Sequence, residues 1–266
     1  MTELHPSVLD EHLVSALREL ANTRQLLVAL DFDGTLAPEV DHPEDARALP
    51  EAKVAVLRLL TLPHTRIALV SGRTLESLER VSDLPDDVLL VGSHGIEFRL
   101  DTPQTRVGLD AEELERVVQV RGLLEEVAKS VDHAWVETKP AGSALHTRLA
   151  SDADARRAQQ LALHRATAEL PGLTVRLGKN ILELSVRSAN KGEAINRLRD
   201  YTAADAVFYA GDDTTDEDVF AVLRVGDFGL KSGHTDTIAD HRVTGPAVVA
   251  AVLNRLAELR EACVRS

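Results

Sequence analysis

The sequence predicts an α/β fold: a doubly wound parallel-sheet (Rossmann-like) core with an inserted α+β cap domain. Short continuous apolar runs alternate with helical stretches, which is typical of buried parallel strands joined by crossover helices. Each apolar run ends in polar residues and glycine, where such sheets place their chemistry. The middle of the chain instead has helices followed by paired short strands, which indicates an α+β insert.

The elements of the core follow from local patterns. Leucines at helical spacing predict a first helix, and a C-terminal helix is expected to begin at Pro246, since proline is favoured in a first turn. The predicted strands cover residues 26–30, 66–70, 88–91 and 206–210, and the predicted helices before the last cover residues 7–21, 50–60, 75–81 and 191–201.

The insert has an αββ-αββ order. Asp110 and Glu113 resemble a capping box at the start of its first helix. We expect core residues 1–100 and 187–266 and an insert over 101–186. Its predicted helices cover 110–130 and 152–170, and its predicted strands cover 134–139, 144–149, 173–177 and 181–186, the first two joined by a turn at 140–143.

Composition excludes several classes of protein. The 266 residues correspond to about 1.8 domains at ~150 residues each. A net charge of −13 disfavours general nucleic-acid binding, and one cysteine, Cys263, allows no internal disulfide and suits a reducing compartment. The sequence shows no signal peptide and no apolar stretch long enough to span a bilayer. We therefore expect a cytoplasmic protein with no nucleic-acid or membrane partner. Because nothing in the sequence looks like a dedicated dimer interface, we also expect a monomer.

The strongest chemical signal is Asp31-Phe32-Asp33-Gly34-Thr35, which follows a predicted strand. Two acids flanking a buried aromatic residue are costly unless a cation or a proton separates their charges. One carboxylate can attack phosphorus while the other shuttles a proton. A solvated turn is the alternative, because Asp and Gly are common in loops.

A second acidic cluster, residues 211–218, follows the last predicted strand. Its oxygen donors suggest Mg²⁺, with Asp212 as the ligand nearest the strand end. The acids could instead complement a helix dipole, an explanation that suits Glu217 and Asp218. Ser71, before Gly72-Arg73, could present its hydroxyl to a phosphate, and Lys191 could neutralise charge, although each alone would suit an ordinary helix start.

The Asp-x-Asp-Gly-Thr motif, Ser71, Lys191 and the acidic cluster follow one another in that order along the core. This set of motifs resembles the haloacid dehalogenase superfamily of phosphatases. The resemblance implies that Asp31 is the nucleophile and Asp33 the general acid and base. It implies that Ser71 and Lys191 hold the phosphoryl group.

The same resemblance implies a metal site. Asp212 would bind Mg²⁺ beside the Asp31 side chain and the Asp33 carbonyl. Asp213 and Asp216 would support these ligands from behind.

The insert resembles the type 2 cap of sugar-phosphate phosphatases. Period-two spacing puts Glu137 and Lys139 on one face of a predicted strand, and His146 and Arg148 on one face of the next. Glu183 is a single acid in an otherwise apolar strand. Any one of these polar residues alone would suit a solvated face.

Together with residues 92–97 of the core, this pattern resembles the trehalose-6-phosphate phosphatase family, although His-Thr-Arg stands here where the family commonly has His-Tyr-Arg. The resemblance implies that glucose hydroxyls bind to Glu137, Lys139 and Glu183. The substrate-binding residues expected from it are Arg73, His94, Glu97, Glu137, Lys139, His146, Arg148 and Glu183.

The expected function is Mg²⁺-dependent hydrolysis of trehalose 6-phosphate to trehalose and phosphate through an aspartyl phosphate. One alternative is a phosphatase of another sugar phosphate, such as sucrose 6-phosphate or mannosyl-3-phosphoglycerate. The other is a non-catalytic domain that binds a sugar phosphate.

Overall fold

The computed structural model describes residues 9–40, 42–101, 109–178 and 180–265, and the chain divides into two units. The first unit consists of Met1–Arg106 and Asn190–Ser266, and the second of Val107–Ala189. The helices are α1 Glu11–Ala21, α2 Pro50–Leu60, α3 Leu75–Ser82, α4 Ala111–Lys129, α5 Asp152–Glu169, α6 Lys191–Thr202, α7 Glu217–Phe220 and α8 Pro246–Arg265. The strands are β1 Leu26–Leu30, β2 Thr65–Val70, β3 Leu89–Gly92, β4 Glu97–Arg99, β5 Trp135–Lys139, β6 Gly142–His146, β7 Thr174–Gly178, β8 Ile181–Ser185, β9 Ala206–Gly211, β10 Phe228–Ser232 and β11 His241–Val243.

The described part of the first unit contains a seven-stranded sheet in the order β11-β10-β9-β1-β2-β3-β4. All neighbours pair in parallel except β3 and β4. The chain builds outward from β1 through β2 and β3, then returns to add β9 on the other side of β1. This reversal lies between β1 and β9, and open α/β sheets bind ligands at the carboxyl ends of strands at such a point.

The predicted core strands and helices are confirmed, with ends that shift by a residue in several cases. The first helix begins at Glu11, later than predicted, because the side chain of Asp10 accepts a hydrogen bond from the backbone N–H of His12 and caps it. The sequence patterns did not identify β4, β10 or β11. The sequence pattern of β10 does not indicate a strand, because it includes Gly229 and Lys231 and both residue types are disfavoured in strands.

The second unit contains a four-stranded antiparallel sheet in the order β5-β6-β8-β7 among its described residues. Leu145, Leu182 and Leu184 form one face of the sheet and pack with apolar residues of α4 and α5. The predicted capping box of α4 is present, since Asp110 and Glu113 exchange hydrogen bonds with each other's backbone.

The predicted start and end of β6 are wrong. The strand begins at Gly142, where a Cβ atom would lie 1.9 Å from the carbonyl oxygen of Leu184, so the close approach of β8 requires glycine. It ends at His146, and Arg148 lies in the following turn with an exposed side chain. The predicted sharing of one strand face by His146 and Arg148 is therefore wrong as well.

Helix α8 packs on the core through Val249, Leu253 and Leu256, as its apolar spacing predicts, and Leu259 packs there partly buried. No helix in the described ranges combines the length and the apolar character needed to cross a membrane.

The Arg260 side chain of α8 is 3% exposed and fastens the helix to two loops and to β2. Its guanidinium donates hydrogen bonds of 2.7–3.3 Å to the backbone oxygens of Ala21, Thr23, Arg24 and His64 and to Oγ1 of Thr65. Burial lowers the pKa of Arg260. The charge stays buried because this set of acceptors replaces water.

Replacement of Arg260 by Met should lower the free energy of unfolding by about 2–4 kcal/mol, because several buried acceptors lose their donor. Urea denaturation followed by circular dichroism measures this loss. Arg255→Met on the same helix is the control, since Arg255 pairs with Glu258 at the surface and should change stability by less than about 0.5 kcal/mol. Equal losses in both variants would contradict the assigned role of Arg260.

Candidate active site

Three buried or half-buried carboxylates meet at the carboxyl edge of the parallel sheet. Asp31 follows β1, and Asp212 and Asp216 follow β9, which pairs with β1. One carboxylate oxygen from each of these three residues lies within 4.8 Å of the others. The parallel pairing of β1 with β9 explains why acids 181 residues apart in sequence (212 − 31) become neighbours.

Lys191, the first residue of α6, lies between two of these acids. Its ammonium donates hydrogen bonds to Oδ1 of Asp31 at 2.9 Å and to Oδ1 of Asp216 at 2.7 Å. All three side chains are buried, with exposures of 3%, 6% and 0% for Lys191, Asp31 and Asp216. Burial of ionisable groups this deep in the protein is tolerated because each one is paired and hydrogen-bonded.

Two glycines make room for the carboxylates. A Cβ atom on Gly34, whose φ is +70°, would lie 2.0 Å from Oδ2 of Asp212. A Cβ atom on Gly211 would lie 2.5 Å from Oδ2 of Asp216. Any other residue at either position would displace an acid, which gives a physical reason for glycine beside each acidic motif.

Among the described residues, the cluster has three acidic side chains and one basic side chain, Lys191. Burial, aided by repulsion from Asp216 and Asp212, raises the pKa of Asp31 well above its ordinary value despite the nearby Lys191. Burial raises the pKa of Asp212 to about 6. For Lys191, burial opposes the charge, but the charges of Asp31 and Asp216 prevail and the pKa lies above its ordinary value. A hard divalent cation would relieve this repulsion, and the all-oxygen donor set fits one.

Asp33 lies outside this cluster and is held by Arg73. The guanidinium of Arg73 donates two hydrogen bonds to the Asp33 carboxylate, at 2.6 and 2.7 Å, and a third to Oγ of Ser77 at 3.2 Å. The Asp33 side chain is 38% exposed, which leaves its carboxylate accessible to solvent. Arg73, predicted to assist a phosphate, therefore binds the predicted acid and base here.

Ser71 lies at the same sheet edge, directly after β2, and is buried. Its hydroxyl accepts a hydrogen bond from the backbone N–H of Arg73 at 3.2 Å, and its carbonyl accepts one from the backbone of His94. The His94 ring packs on Gly72, where a Cβ atom would lie 2.6 Å from the ring. These contacts fix the loop that presents Ser71.

Glu97, predicted to bind substrate, makes its hydrogen bonds within the core loops. Its Oε2 accepts from Oγ of Ser93 at 2.8 Å and from the backbone N–H of Leu75 at 3.2 Å. Asp213, predicted to support the metal ligands, forms a capping box with Asp216 at the turn after β9. Its Oδ1 accepts from the backbone of Thr214.

The second unit carries a polar sheet face, which we define by Trp135, Glu137, Lys139, His146, Arg176 and Glu183. Pairing register places these residues on the side opposite the leucines that pack on the helices. The small residues Gly142 and Ala144 of β6 lie on the same face, opposite Lys139 and Glu137 of β5. The predicted residues Glu137, Lys139, His146 and Glu183 thus share one face.

Contacts on the polar sheet face centre on Glu137. Its carboxylate accepts from Nζ of Lys139 at 2.5 Å and pairs with Nε2 of His146 at 2.8 Å. Partial burial would raise the pKa of Glu137, but these two partners prevail and lower it. The His146 ring stacks on Trp135, with ring centroids 4.8 Å apart and the Arg148 guanidinium 5.6 Å from the indole centroid.

Three residues at these positions escaped the sequence analysis. Tyr209 donates its hydroxyl to Oδ1 of Asp216 at 2.6 Å, although it lies within an apolar strand run. Trp135 shares the strand alternation of Glu137, a signal that could have found it. Arg176 lies 3.8 Å from Glu183 across the sheet, a contact that depends on the β7–β8 register.

This parallel-sheet core, with its acidic edge and buried lysine, has the fold of a haloacid dehalogenase-like hydrolase from Bacteroides thetaiotaomicron, with a TM-score of 0.64 at 14% identity over 87% of this chain and 99% of that one. Residues 29–246 match the trehalose-phosphatase family. The chain belongs to that family.

Two relatives and one solved structure are similar to this chain over most of its length. A probable trehalose-phosphate phosphatase of Oryza sativa is 31% identical over 97% of this chain and 74% of its own length. A bifunctional trehalose-6-phosphate synthase/phosphatase of Thermoproteus tenax is 34% identical over 88% of this chain, which spans only 32% of that protein. The Aspergillus fumigatus trehalose-6-phosphate phosphatase structure has a TM-score of 0.72 at 23% identity, covering 94% of this chain and 98% of its own.

Replacement of Lys191 by Met should cost about 3–5 kcal/mol of stability at pH 7.5, because Asp31 and Asp216 are left as unpaired buried charges. The loss should shrink toward pH 5. Lys191 lowers the pKa of Asp31 in the wild type, so its loss leaves that pKa higher still in the variant. An acid whose folded-state pKa is raised favours folding when protonated, so the variant loses stability relative to the wild type as pH rises. Urea denaturation at both pH values measures the difference.

Lys53→Met is the matched control. Lys53 pairs with Asp83 at 2.5 Å, but the aspartate is 82% exposed, so the loss should stay under about 1 kcal/mol at either pH. A loss in Lys191→Met that does not change with pH would contradict the electrostatic explanation.

Proposed function

We propose that this chain is a Mg²⁺-dependent phosphatase that hydrolyses trehalose 6-phosphate to trehalose and phosphate through an aspartyl phosphate on Asp31. The observation that carries the proposal is the buried Lys191 bridging Asp31 and Asp216 beside Asp212, in a chain of the trehalose-phosphatase family. A domain that only binds sugar phosphate would not require this costly arrangement of buried charges.

In the first step a carboxylate oxygen of Asp31 attacks phosphorus. The new P–O bond forms as the bond from phosphorus to the sugar oxygen breaks, and Asp33 gives its proton to that oxygen. Lys191 and Ser71 would stabilise the transferring phosphoryl group. Trehalose leaves, and the phosphoryl group stays on Asp31.

In the second step Asp33 takes a proton from a water molecule, and the water oxygen attacks phosphorus. The bond to Asp31 breaks, and phosphate is released. The half-exposed position of Asp33 suits this work, because its carboxylate can meet both the leaving oxygen and water. Arg73 orients that carboxylate through its paired hydrogen bonds.

The carboxylates of Asp31 and Asp212 and the carbonyl of Asp33 would hold the Mg²⁺ ion. When bound, the cation neutralises negative charge on the carboxylates and on the phosphate, so that one anion can attack another. Burial, with added repulsion among the acids, raises the pKa of Asp31 and Asp212, and a cation at this place would offset both effects. Because the chain carries a net charge of −13, attraction of a dianionic substrate must come from local positive charge.

The insert, predicted over 101–186 between core segments 1–100 and 187–266, would be the cap that selects the sugar. Its polar sheet face offers charged acceptors and donors, held in place by one another, to sugar hydroxyls. Glu137, Lys139 and Glu183 are the residues we assign to glucose hydroxyls. A cytoplasmic location and a monomeric state stay predictions from the sequence.

Replacement of Asp31 by Asn should lower kcat on trehalose 6-phosphate by about 10⁴-fold or more, because the nucleophile is lost while the fold is kept. Phosphate release measures turnover, and circular dichroism checks the fold. Asp87→Asn, at an exposed aspartate of the same unit, is the control and should retain full activity. Ordinary turnover in the Asp31 variant would refute the nucleophile assignment.

The same assay tests the substrate. The wild-type protein should release phosphate faster from trehalose 6-phosphate than from glucose 6-phosphate, sucrose 6-phosphate or mannosyl-3-phosphoglycerate, and EDTA should stop it. Preference for another compound would refute the trehalose assignment. Absence of turnover on every compound would favour the non-catalytic sugar-phosphate-binding domain.

The cap assignment can be tested by fluorescence, because the chain has one tryptophan and Trp135 lies on the polar sheet face. In the Asp31→Asn background, trehalose 6-phosphate should change the emission of Trp135. Adding Glu137→Gln should raise the Kd about tenfold, because a charged acceptor is lost. Glu115→Gln, at an exposed position of α4, is the control. An equal Kd in both variants would contradict sugar recognition by Glu137.

A further inference from the structure

Tyr209 is a fully buried tyrosine beside the acidic cluster, and the proposed reaction gives it no role. It lies on β9 and donates its hydroxyl to Oδ1 of Asp216 at 2.6 Å. Burial, with the charges of Asp216 and Asp31, raises the pKa of this hydroxyl. Tyr209 is therefore a permanent donor at neutral pH.

The acceptor positions of Asp216 are largely taken. Each carboxylate oxygen has two lone pairs. Oδ1 accepts from both Lys191, at 2.7 Å, and Tyr209, so both of its lone pairs are used. Oδ2 accepts from the backbone N–H of Asp213 at 2.8 Å and packs against Gly211. Three of the four acceptor positions of the Asp216 carboxylate are thus occupied by donors from the protein.

The other two acids keep free acceptor positions. Within the described residues, Lys191 is the one N–H donor that reaches the Asp31 carboxylate, and none reaches the carboxylate of Asp212. Asp216 is nevertheless close enough to join them around a cation, since oxygens of all three acids lie within 4.8 Å of one another. Its hydrogen-bond partners, rather than its distance, separate it from the other two.

We propose that Tyr209 is a positioning residue that commits Asp216 to Lys191 and leaves the divalent cation to Asp31 and Asp212. This inference rests on the proposed cation-dependent phosphatase. It has a consequence for cation selectivity. Ca²⁺ takes six to eight oxygen ligands, whereas Mg²⁺ takes few carboxylates and keeps its waters. Release of Asp216 as a third carboxylate should therefore favour Ca²⁺ over Mg²⁺.

The test is Tyr209→Phe, measured by thermal unfolding of metal-free protein titrated with MgCl₂ or CaCl₂. The half-saturating Mg²⁺ concentration, divided by that of Ca²⁺, should rise about tenfold, as expected when a partner of a ligand-orienting group is lost. Tyr201→Phe is the matched control, because Tyr201 is the chain's other tyrosine and donates to Asp101 at 2.8 Å on the surface. The control should keep the wild-type ratio.

The outcomes are distinguishable. A wild-type protein that neither cation stabilises would refute the proposed cation site itself. A wild-type response together with an unchanged ratio in Tyr209→Phe, even at a lower Tm, would show that Tyr209 only packs the core and would overturn this inference.

A second measurement applies if the Phe variant does not fold. Tyr201→Phe protein grown with 3-fluorotyrosine carries the modified ring at position 209 alone. The more acidic phenol is a stronger donor of nearly the same volume, so the ratio should move in the opposite direction, toward Mg²⁺. An unchanged ratio, or a move toward Ca²⁺, would overturn the inference.

Discussion

The buried ammonium of Lys191 is the contact on which the sheet edge depends. Asp31 and Asp216 come from segments that follow different strands, and both are removed from water. Like charges buried side by side repel each other strongly in a medium of low dielectric constant, and no packing of apolar groups could compensate for that. One cation from the start of α6 holds both acids. Folding of this edge and its chemistry therefore depend on the same hydrogen bonds.

Features of the backbone position the residues that Lys191 contacts. The reversal of strand order between β1 and β9 opens a crevice where Asp31 and Asp212 both emerge. Gly34 and Gly211 let the carboxylates of Asp212 and Asp216 lie directly on the backbone. The result is a dense group of acids that lysine neutralises only in part, and their oxygens are close enough together to hold a further cation.

The sequence predicted what depends on local signals. β1 is a continuous apolar run, α2 begins at Pro50, and α6 has Asn190 as its N-cap. The motif that begins at Asp31 follows β1, and Lys191 begins α6, so these local signals also locate the site. The sequence patterns could not predict contacts between residues that are distant along the chain. The side chain of Lys231 can be buried in β10 because it donates hydrogen bonds to the carboxylate of Glu217 and to the backbone carbonyl of Asp213. The pairing of Arg73 with Asp33 likewise depends on how two loops are arranged relative to each other. No pattern within either loop indicates that arrangement.

The two units treat their carboxylates differently, and the difference matches the two tasks in the proposed function. Glu137 is 44% exposed, and Lys139 and His146 lower its pKa, so it is an anionic acceptor without help from a metal. Asp31 is buried, and its pKa is raised, so it needs added positive charge to act as an anion. Neutral hydroxyl groups need fixed acceptors, whereas a phosphoryl dianion needs a cation. In the proposed function, recognition would therefore proceed on the polar sheet face. The phosphoryl transfer would take place at the buried edge, where the charges of lysine and a bound metal act more strongly than in water.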